Sequence, residues 1–213
     1  MSILAHMADI SGYNTAFKKT PGDAFDALIA SSITHLYIKT SEGRGRENDA
    51  FVTQAVMAHA RGLLVGPYHF ARPDAKPDDP EAEADASVKL CEGLTLTLAP
   101  VLDLEAAKDW PDATPTMLTE WALRWCRRVA SLTGRIPIVY TGPGFWGGRL
   151  GHTAALSDLR LWVAAYPTML PGTNVPPPKL GAWVPSAWQY TGHGRVHGIE
   201  GEIDLSYVYG DLT

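Results

Sequence analysis

The sequence predicts an α/β fold, an irregular, flattened barrel of the TIM type with its helices mainly in the first two-thirds of the chain. Three observations lead there. Short apolar runs alternate with longer amphipathic segments, the pattern of parallel strands joined by crossover helices. About eight strand candidates recur at fairly regular intervals. The chain has 213 residues, fewer than the roughly 250 of an ordinary eightfold barrel, so part of the helical shell must be reduced.

Residues 8–10 open the strand series. A helix-like segment over 23–30 precedes a strand over 34–39. An amphipathic run over 49–61, stopped by Gly62, precedes a strand over 63–68. A helix over about 80–91 has Pro80 in its first turn and Glu81 and Glu83 near its positive end, with Gly93 just beyond. It leads to a strand over 98–104. The helix Pro115–Thr133, closed by Gly134, leads to a strand over 137–141. Strands over 161–165, 182–190 and 201–205 complete the series. Gly142, Pro143, Gly144, Gly147 and Gly148 read as turn material rather than a phosphate loop. The Pro-rich stretch 171–179 reads as a loop within the fold, since too little chain follows it for a second domain. Residues 1–213 are therefore expected to form one domain, with 1–7 as an extension or flexible N-terminus.

Composition narrows the function classes. Hydrophobic residues make up 46% and charged residues 19% of the chain, enough for a sizeable core. The net charge is −5 and there is no Lys/Arg block, so nucleic-acid binding has no electrostatic support. No run of about 18 apolar residues is present, so no membrane insertion is expected. Residues 1–7 are too short and polar for a secretory leader, which implies synthesis in the cytoplasm and release by another route. Cys91 and Cys126 read as free thiols in helical segments. His193 and His197 have i, i+4 spacing, but flanking glycines disfavour a helix and no third ligand is evident, so no metal and no cofactor are expected. No GxSxG elbow marks a serine triad.

Acidic residues at strand candidates carry the chemistry. Asp9 begins the first strand, Asp204 ends the last, and Glu42, Asp103 and Glu105 stand at strand ends. In a parallel barrel the C-terminal strand ends converge on one face. Asp103 and Glu105 are two apart, so on a strand they share a face while Leu102 and Leu104 turn to the helices. Two adjacent carboxylates repel, and one keeps its proton to higher pH. A protonated carboxyl beside an ionised one can protonate a glycosidic oxygen and stabilise the sugar cation. Taken alone, the pair fits a structural salt-bridge cluster or a metal site equally well. First and last strands of a closed barrel are neighbours, so Asp9 and Asp204 are expected to join the same pocket.

Aromatic residues fall at or just after strand ends: Tyr68, Phe70, Tyr140, Trp162, Tyr166, Trp188 and Tyr190. Flat rings with a few polar partners such as Gln189 suit a saccharide groove. Trp121 and Trp125, four apart on one helix, read as core. His69 reads as a hydrogen-bonded structural or site-lining histidine.

These residues together resemble the glycoside hydrolase family 25 lysozymes, the Chalaropsis-type muramidases that include many phage endolysins. The resemblance runs from about Ala8 to the C-terminus. It rests on Asp9-Ile10-Ser11, Lys39-Thr40-Ser41-Glu42-Gly43, Gly66-Pro67-Tyr68-His69-Phe70, Asp103-Leu104-Glu105, Ile138-Val139-Tyr140-Thr141, Leu161-Trp162-Val163-Ala164-Ala165-Tyr166, Trp188-Gln189-Tyr190 and Ile203-Asp204-Leu205, in the family's order. Each motif is weak alone, and the joint signal is strong. Two positions depart from the family pattern: Gly12-Tyr13-Asn14 replaces a Trp- and Gln-containing continuation, and Ser206 replaces an asparagine.

The resemblance implies an irregular α/β barrel that hydrolyses the β-1,4 bond between N-acetylmuramic acid and N-acetylglucosamine in the bacterial peptidoglycan glycan strand. It implies Glu105 as general acid and Asp103 as the partner that orients the substrate's N-acetyl group or stabilises the cation. Asp9 and Asp204 are then additional site carboxylates. Tyr68, Tyr140, Trp162, Tyr166, Trp188, Gln189 and Glu42 are the expected groove residues. A monomer acting on the cell wall is expected, in the manner of a phage endolysin released by a holin. Retaining, inverting and substrate-assisted chemistry all stay open. A non-catalytic glycan-binding module, a chitin-type hydrolase and a zinc amidase are the rival readings.

Overall fold

A computed structural model of the chain describes residues 2–169, 171–172 and 175–213. The elements run β1 (Ala5–Ile10), α1 (Ala16–Lys19), α2 (Pro21–Ala30), β2 (Ile33–Glu42), β3 (Arg46–Glu47), α3 (Phe51–Ala60), β4 (Leu64–Phe70), α4 (Asp79–Lys89), β5 (Val101–Asp103), α5 (Pro115–Thr133), β6 (Ile138–Thr141), α6 (Pro143–Gly148), β7 (Arg160–Ala164), β8 (Pro185–Gly194) and β9 (Ile203–Val208). The strands lie side by side as β1-β9-β8-β7-β6-β5-β4-β2, and a β1–β2 pairing closes them into a barrel of eight. The two-residue β3 is a hairpin on the end of β2. Every barrel pair is parallel except those of β9, which runs antiparallel to both β8 and β1.

Helix α5 illustrates how sequence sets the shell. Leu118, Trp121, Ala122, Trp125 and Val129 recur at helical spacing and are buried against Leu102, Leu104, Val139, Leu161 and Val163 of the sheet. The Thr114 hydroxyl caps its start by accepting from the Met117 amide at 3.3 Å. Gly134 ends it at φ 71°, a left-handed conformation that favours glycine. On the other side of the barrel, Phe17, Phe25, Leu28 and Phe51 of α1–α3 cover Ala8, Ile10, Leu36 and Ile38.

The twofold periodicity of strands sends the alternate residues inward. Met7, Tyr37, Val101, Ile138, Tyr140, Trp162, Ala187 and Val208 pack in the barrel interior. Tyr37 and Tyr140 pack on Trp162 with ring centroids 5.1 and 4.9 Å away. Gly66 of β4 makes room for this layer: a Cβ there would overlap the Tyr37 ring and lie 2.8 Å from Leu98 Cβ. These side chains fill the barrel interior.

Several expectations are corrected. The first strand starts at Ala5, not residue 8. Met7 is wholly buried, so residues 5–7 are barrel wall and not an extension; Met1 lies outside the described residues. The Gly/Pro-rich 142–148 segment forms α6, because Pro143 suits a first helical turn and Trp146 N–H closes it by donating to Gly142 O at 3.0 Å. Cys91 sits in the turn beyond α4, and Cys126 is buried; both thiols are free. The strand expected over 182–190 begins at Pro185 and extends to Gly194. Within 171–179, the described residues form neither strand nor helix. The Tyr207 and Tyr209 hydroxyls tie this stretch to the sheet by donating to Pro171 O (3.1 Å) and Val175 O (2.9 Å). Thr173 and Asn174 lie outside the described residues. Among the described residues, no helix is long and apolar enough to cross a membrane.

Candidate functional site

The inward parity that fills the barrel continues upward into a polar layer. Two residues above Met7, β1 presents Asp9. Above Tyr37, β2 presents Lys39. Above Gly66, β4 presents Tyr68 and Phe70, and above Val101, β5 presents Asp103. Above Ala187, β8 presents Gln189. These side chains, with Ser11, Tyr13, Glu105, Tyr140, Trp162, Tyr166 and Asp204, line one cleft of about 260 Å³. It lies at the C-terminal ends of the parallel strands, where barrel chemistry is usually placed.

The four carboxylates expected together do meet there, but two are positioned by different logic from that expected. Asp9 is near the end of β1 rather than at its start, because the strand begins earlier. Asp204 is near the start of β9 rather than at the end of its strand. The reason is direction: β9 is antiparallel, so its beginning meets the C-terminal ends of its neighbours. Asp9 and Asp204 are register partners across that pair. Glu105 lies two residues beyond the end of β5, at the solvent-exposed rim.

Asp9 is buried, and its Oδ2 accepts a 2.9 Å bond from Gln189 Nε2. Gln189 is itself buried, and its Oε1 accepts from the hydroxyls of Tyr140 (2.8 Å) and Tyr166 (2.5 Å). Two donors on the oxygen fix the amide orientation and leave its N–H₂ for Asp9. Burial first, then the charge of Asp204, raises the Asp9 carboxyl well above its ordinary range, while Gln189 pulls it down. Burial also raises Asp204, but a hydrogen bond from Asp9 lowers it. Of the two, Asp9 is the carboxyl held higher.

Asp103 is 7% exposed, and its Oδ1 is buried without a hydrogen-bond partner. Burial, then the charges of Glu105 and Asp9, raise its carboxyl well above the ordinary value against a smaller lowering by Lys39. Loss of hydration, followed by the charge of Asp204, also raises the Glu105 carboxyl, again opposed by Lys39. Tyr68 and Tyr140 are pushed far up by burial and then by the cleft carboxylates, so both stay neutral hydroxyls.

Of the expected groove residues, Tyr68, Tyr140, Trp162, Tyr166 and Gln189 line the cleft. Trp188 does not. One residue from Gln189 on β8, it faces the helices, donates from Nε1 to Ala165 O at 2.7 Å and packs on Tyr190 and Tyr207; a one-residue offset on a strand reverses the face. Glu42 is also outside the cleft. It is held by Lys39 Nζ (2.7 Å), Arg46 Nη1 (3.0 Å) and Arg72 Nη2 (2.5 Å). His69 faces outward from β4 and is buried, bonded to Ser41 Oγ (2.9 Å) and Glu83 (2.8 Å) and stacked on Trp125. Trp121 and Trp125 are core, as the spacing implied. Ser11, Tyr13, Lys39 and Val101 were not singled out as lining residues. Counting inward by twos from Tyr37 would have found Lys39. Among the described residues, no group of three His, Cys, Asp or Glu is arranged to hold a metal.

A family model described as Glycosyl hydrolases family 25 matches residues 8–199. The chain is 31% identical over 199 residues to Lysozyme M1 of Streptomyces globisporus, covering 89% of this chain and 64% of that protein. It thus spans a little under two-thirds of that relative. It is 28% identical over 211 residues to an N,O-diacetylmuramidase of Chalaropsis sp., covering 92% and 94% of the two chains. The crystal structure of a bacterial lysozyme from Streptomyces coelicolor superposes with a TM-score of 0.79 at 25% identity, over 97% of this chain and 93% of that one.

Proposed function

The chain belongs to glycosyl hydrolase family 25, and from that membership we propose that it is a lysozyme that cuts the β-1,4 bond between N-acetylmuramic acid and N-acetylglucosamine, with Glu105 as general acid. The observation that carries the reading is the convergence of Asp9, Asp103, Glu105 and Asp204 in one cleft where, among the described residues, Lys39 is the only lining cation. Such crowding keeps protons on carboxyls that would otherwise ionise.

Glu105 is the accessible acid. It stands at the rim, where a leaving oxygen can reach it, and its raised carboxyl retains a proton to donate. Asp103 is the buried partner. Its unbonded Oδ1 suits the N–H of the substrate's N-acetyl group, and that bond would orient the acetyl oxygen toward the sugar carbon. The glycosidic C–O electron pair leaves with the departing oxygen as Glu105 delivers its proton. The acetyl oxygen or a carboxylate supports the positive carbon, and water then adds, returning a proton to Glu105. Asp9 and Asp204 line the same cleft, where negative charge on either would support that carbon. Tyr68, Tyr140, Trp162 and Tyr166 form the sugar-binding walls. The place of action is the bacterial cell wall.

Digestion of purified peptidoglycan by the wild type and by Glu105→Gln tests this, with mass spectrometry and reducing-end analysis. New reducing-end N-acetylmuramic acid, absent with the variant, is expected. Reducing-end N-acetylglucosamine would replace the bond assignment, and full activity of the variant would remove Glu105 from the acid role.

A further inference from the structure

A second depression of about 290 Å³ adjoins the carboxylate cleft, sharing Tyr13 and Lys39 with it and otherwise lined by Gly12, Lys18, Glu42, Arg46, Glu47 and Asn48. Its chemistry differs from that of the cleft. Glu42 is neutralised by Lys39, Arg46 and Arg72 together. Lys18 is exposed and forms no ion pair within 4 Å among the described residues. Among the described lining residues, Glu42 and Glu47 face Lys18, Lys39 and Arg46, so one positive charge remains in surplus.

Gly12 lacks the side chain that would occupy the space beside Lys18 Nζ and Asn48 Oδ1, each 3.5 Å from where a Cβ would stand. Asn48 is pinned by donating to Lys39 O at 2.9 Å. Lys39 is held between Glu42 and the Phe70 ring, 4.7 Å from its centroid. Lys18 has no ion-pair partner among the described residues, and the 77%-exposed Arg46 side chain engages Glu42 through Nη1 alone, so both can meet a ligand that extends from the cleft past Tyr13 and Lys39.

We propose that this depression is a subsite for the acidic peptide substituent of the glycan, with Lys18 and Arg46 binding its carboxylates. The proposal rests on the peptidoglycan reading above. A muramic acid seated in the cleft carries its peptide on a flexible lactyl ether, so a strand bound by its sugars must place the peptide beside the cleft. The peptide presents free carboxylates, and the depression presents the unpaired Lys18 beside the exposed Arg46, which is shared with Glu42, on the flank of the same cleft. Charged contacts at a rim of this kind select a substrate and depend on salt.

The test uses calorimetric titration of the Glu105→Gln protein with a muramyl tetrasaccharide carrying stem peptides and with the same tetrasaccharide stripped of them by an amidase. About tenfold tighter binding of the peptide-bearing form is expected, of the size that rim charge pairs supply. Lys18→Glu/Arg46→Glu, and the milder Lys18→Gln/Arg46→Gln, should bind both forms with the affinity of the stripped one. In the Glu105→Gln protein the preference should shrink as salt rises to 0.5 M. An equal preference in Glu105→Gln with and without the Lys18/Arg46 substitutions, or none in Glu105→Gln itself, overturns the subsite. Tighter binding of a glycerol phosphate oligomer with the same Lys18/Arg46 dependence would overturn the peptide assignment in favour of an anionic wall polymer. If the tetrasaccharides bind as expected while wild type cleaves neither, the subsite stands and the lysozyme assignment falls.

Discussion

Two groups of carboxylates at the same end of the barrel are built on opposite principles. Asp9, Asp103, Glu105 and Asp204 share one cleft with Lys39 as the sole lining cation among the described residues, and all four carboxyls are raised. Glu42, at the end of the neighbouring strand, is enclosed by three cations. Burial raises its carboxyl, but hydrogen bonds from Lys39 and Arg72 outweigh that and bring it down to about 2. The first arrangement works against folding and the second for it. A fold tolerates uncompensated charge where chemistry needs it and compensates charge elsewhere.

The largest effect should come from exchanging one member of each group for its amide. Glu105→Gln is expected to lower kcat by about 10²–10⁴, the range for loss of a general acid, with little change in unfolding free energy. Glu42→Gln should leave turnover within a few-fold but destabilise by about 1–2 kcal/mol, since Lys39 and Arg72 lose their anion. Steady-state kinetics with denaturant titration of both variants would show the contrast. Equal activity losses would dissolve it.

The contrast itself was only partly legible in the sequence. Both groups read alike there, as acids at the ends of apolar runs, and Glu42 was assigned to the groove with the rest. What separates them is three-dimensional: Arg72 comes from beyond β4 and Arg46 from the hairpin. The barrel, the α5 boundaries and the meeting of Asp9 with Asp204 followed from periodicity, capping and closure. The antiparallel run of β9 did not, because a short strand between Gly-rich turns carries no directional signal. Trp188 was lost to parity: without the register of β8, either it or Gln189 could have faced inward.

The two groups should also give stability opposite slopes with pH. Asp103 has a raised carboxyl, so it favours the folded state at low pH, and that contribution is lost as pH rises through its folded value. Asp103→Asn should therefore abolish most activity yet stabilise by about 1–2 kcal/mol at pH 7. The gain should fade below about pH 4, where the unfolded carboxyl is also protonated. Glu42 runs the other way. Its contribution is present above the ordinary carboxylate range and is lost as pH falls toward about 2. Thermal melts of Asp103→Asn and Glu42→Gln from pH 3 to 8 should give opposing trends relative to wild type, and parallel trends would refute the distinction.

The smallest and most specific effect concerns Gln189. It touches both the tyrosine wall and the Asp9–Asp204 pair, yet carries no charge. Its N–H₂ stabilises the less protonated state of that pair by donating to Asp9 Oδ2. Gln189→Leu removes this donor and strands the Tyr140 and Tyr166 hydroxyls. The pair should then take up its second proton at higher pH, moving the acid limb of the kcat profile up by about one pH unit, the equivalent of one hydrogen bond to a charged group. Gln189→Glu should disturb the same limb, because it adds a fourth ionisable group against Asp9. A role limited to wall packing would lower activity evenly at all pH values and leave the limb in place. A displaced limb at near-normal stability would mark Gln189 as the residue that positions the Asp9 proton.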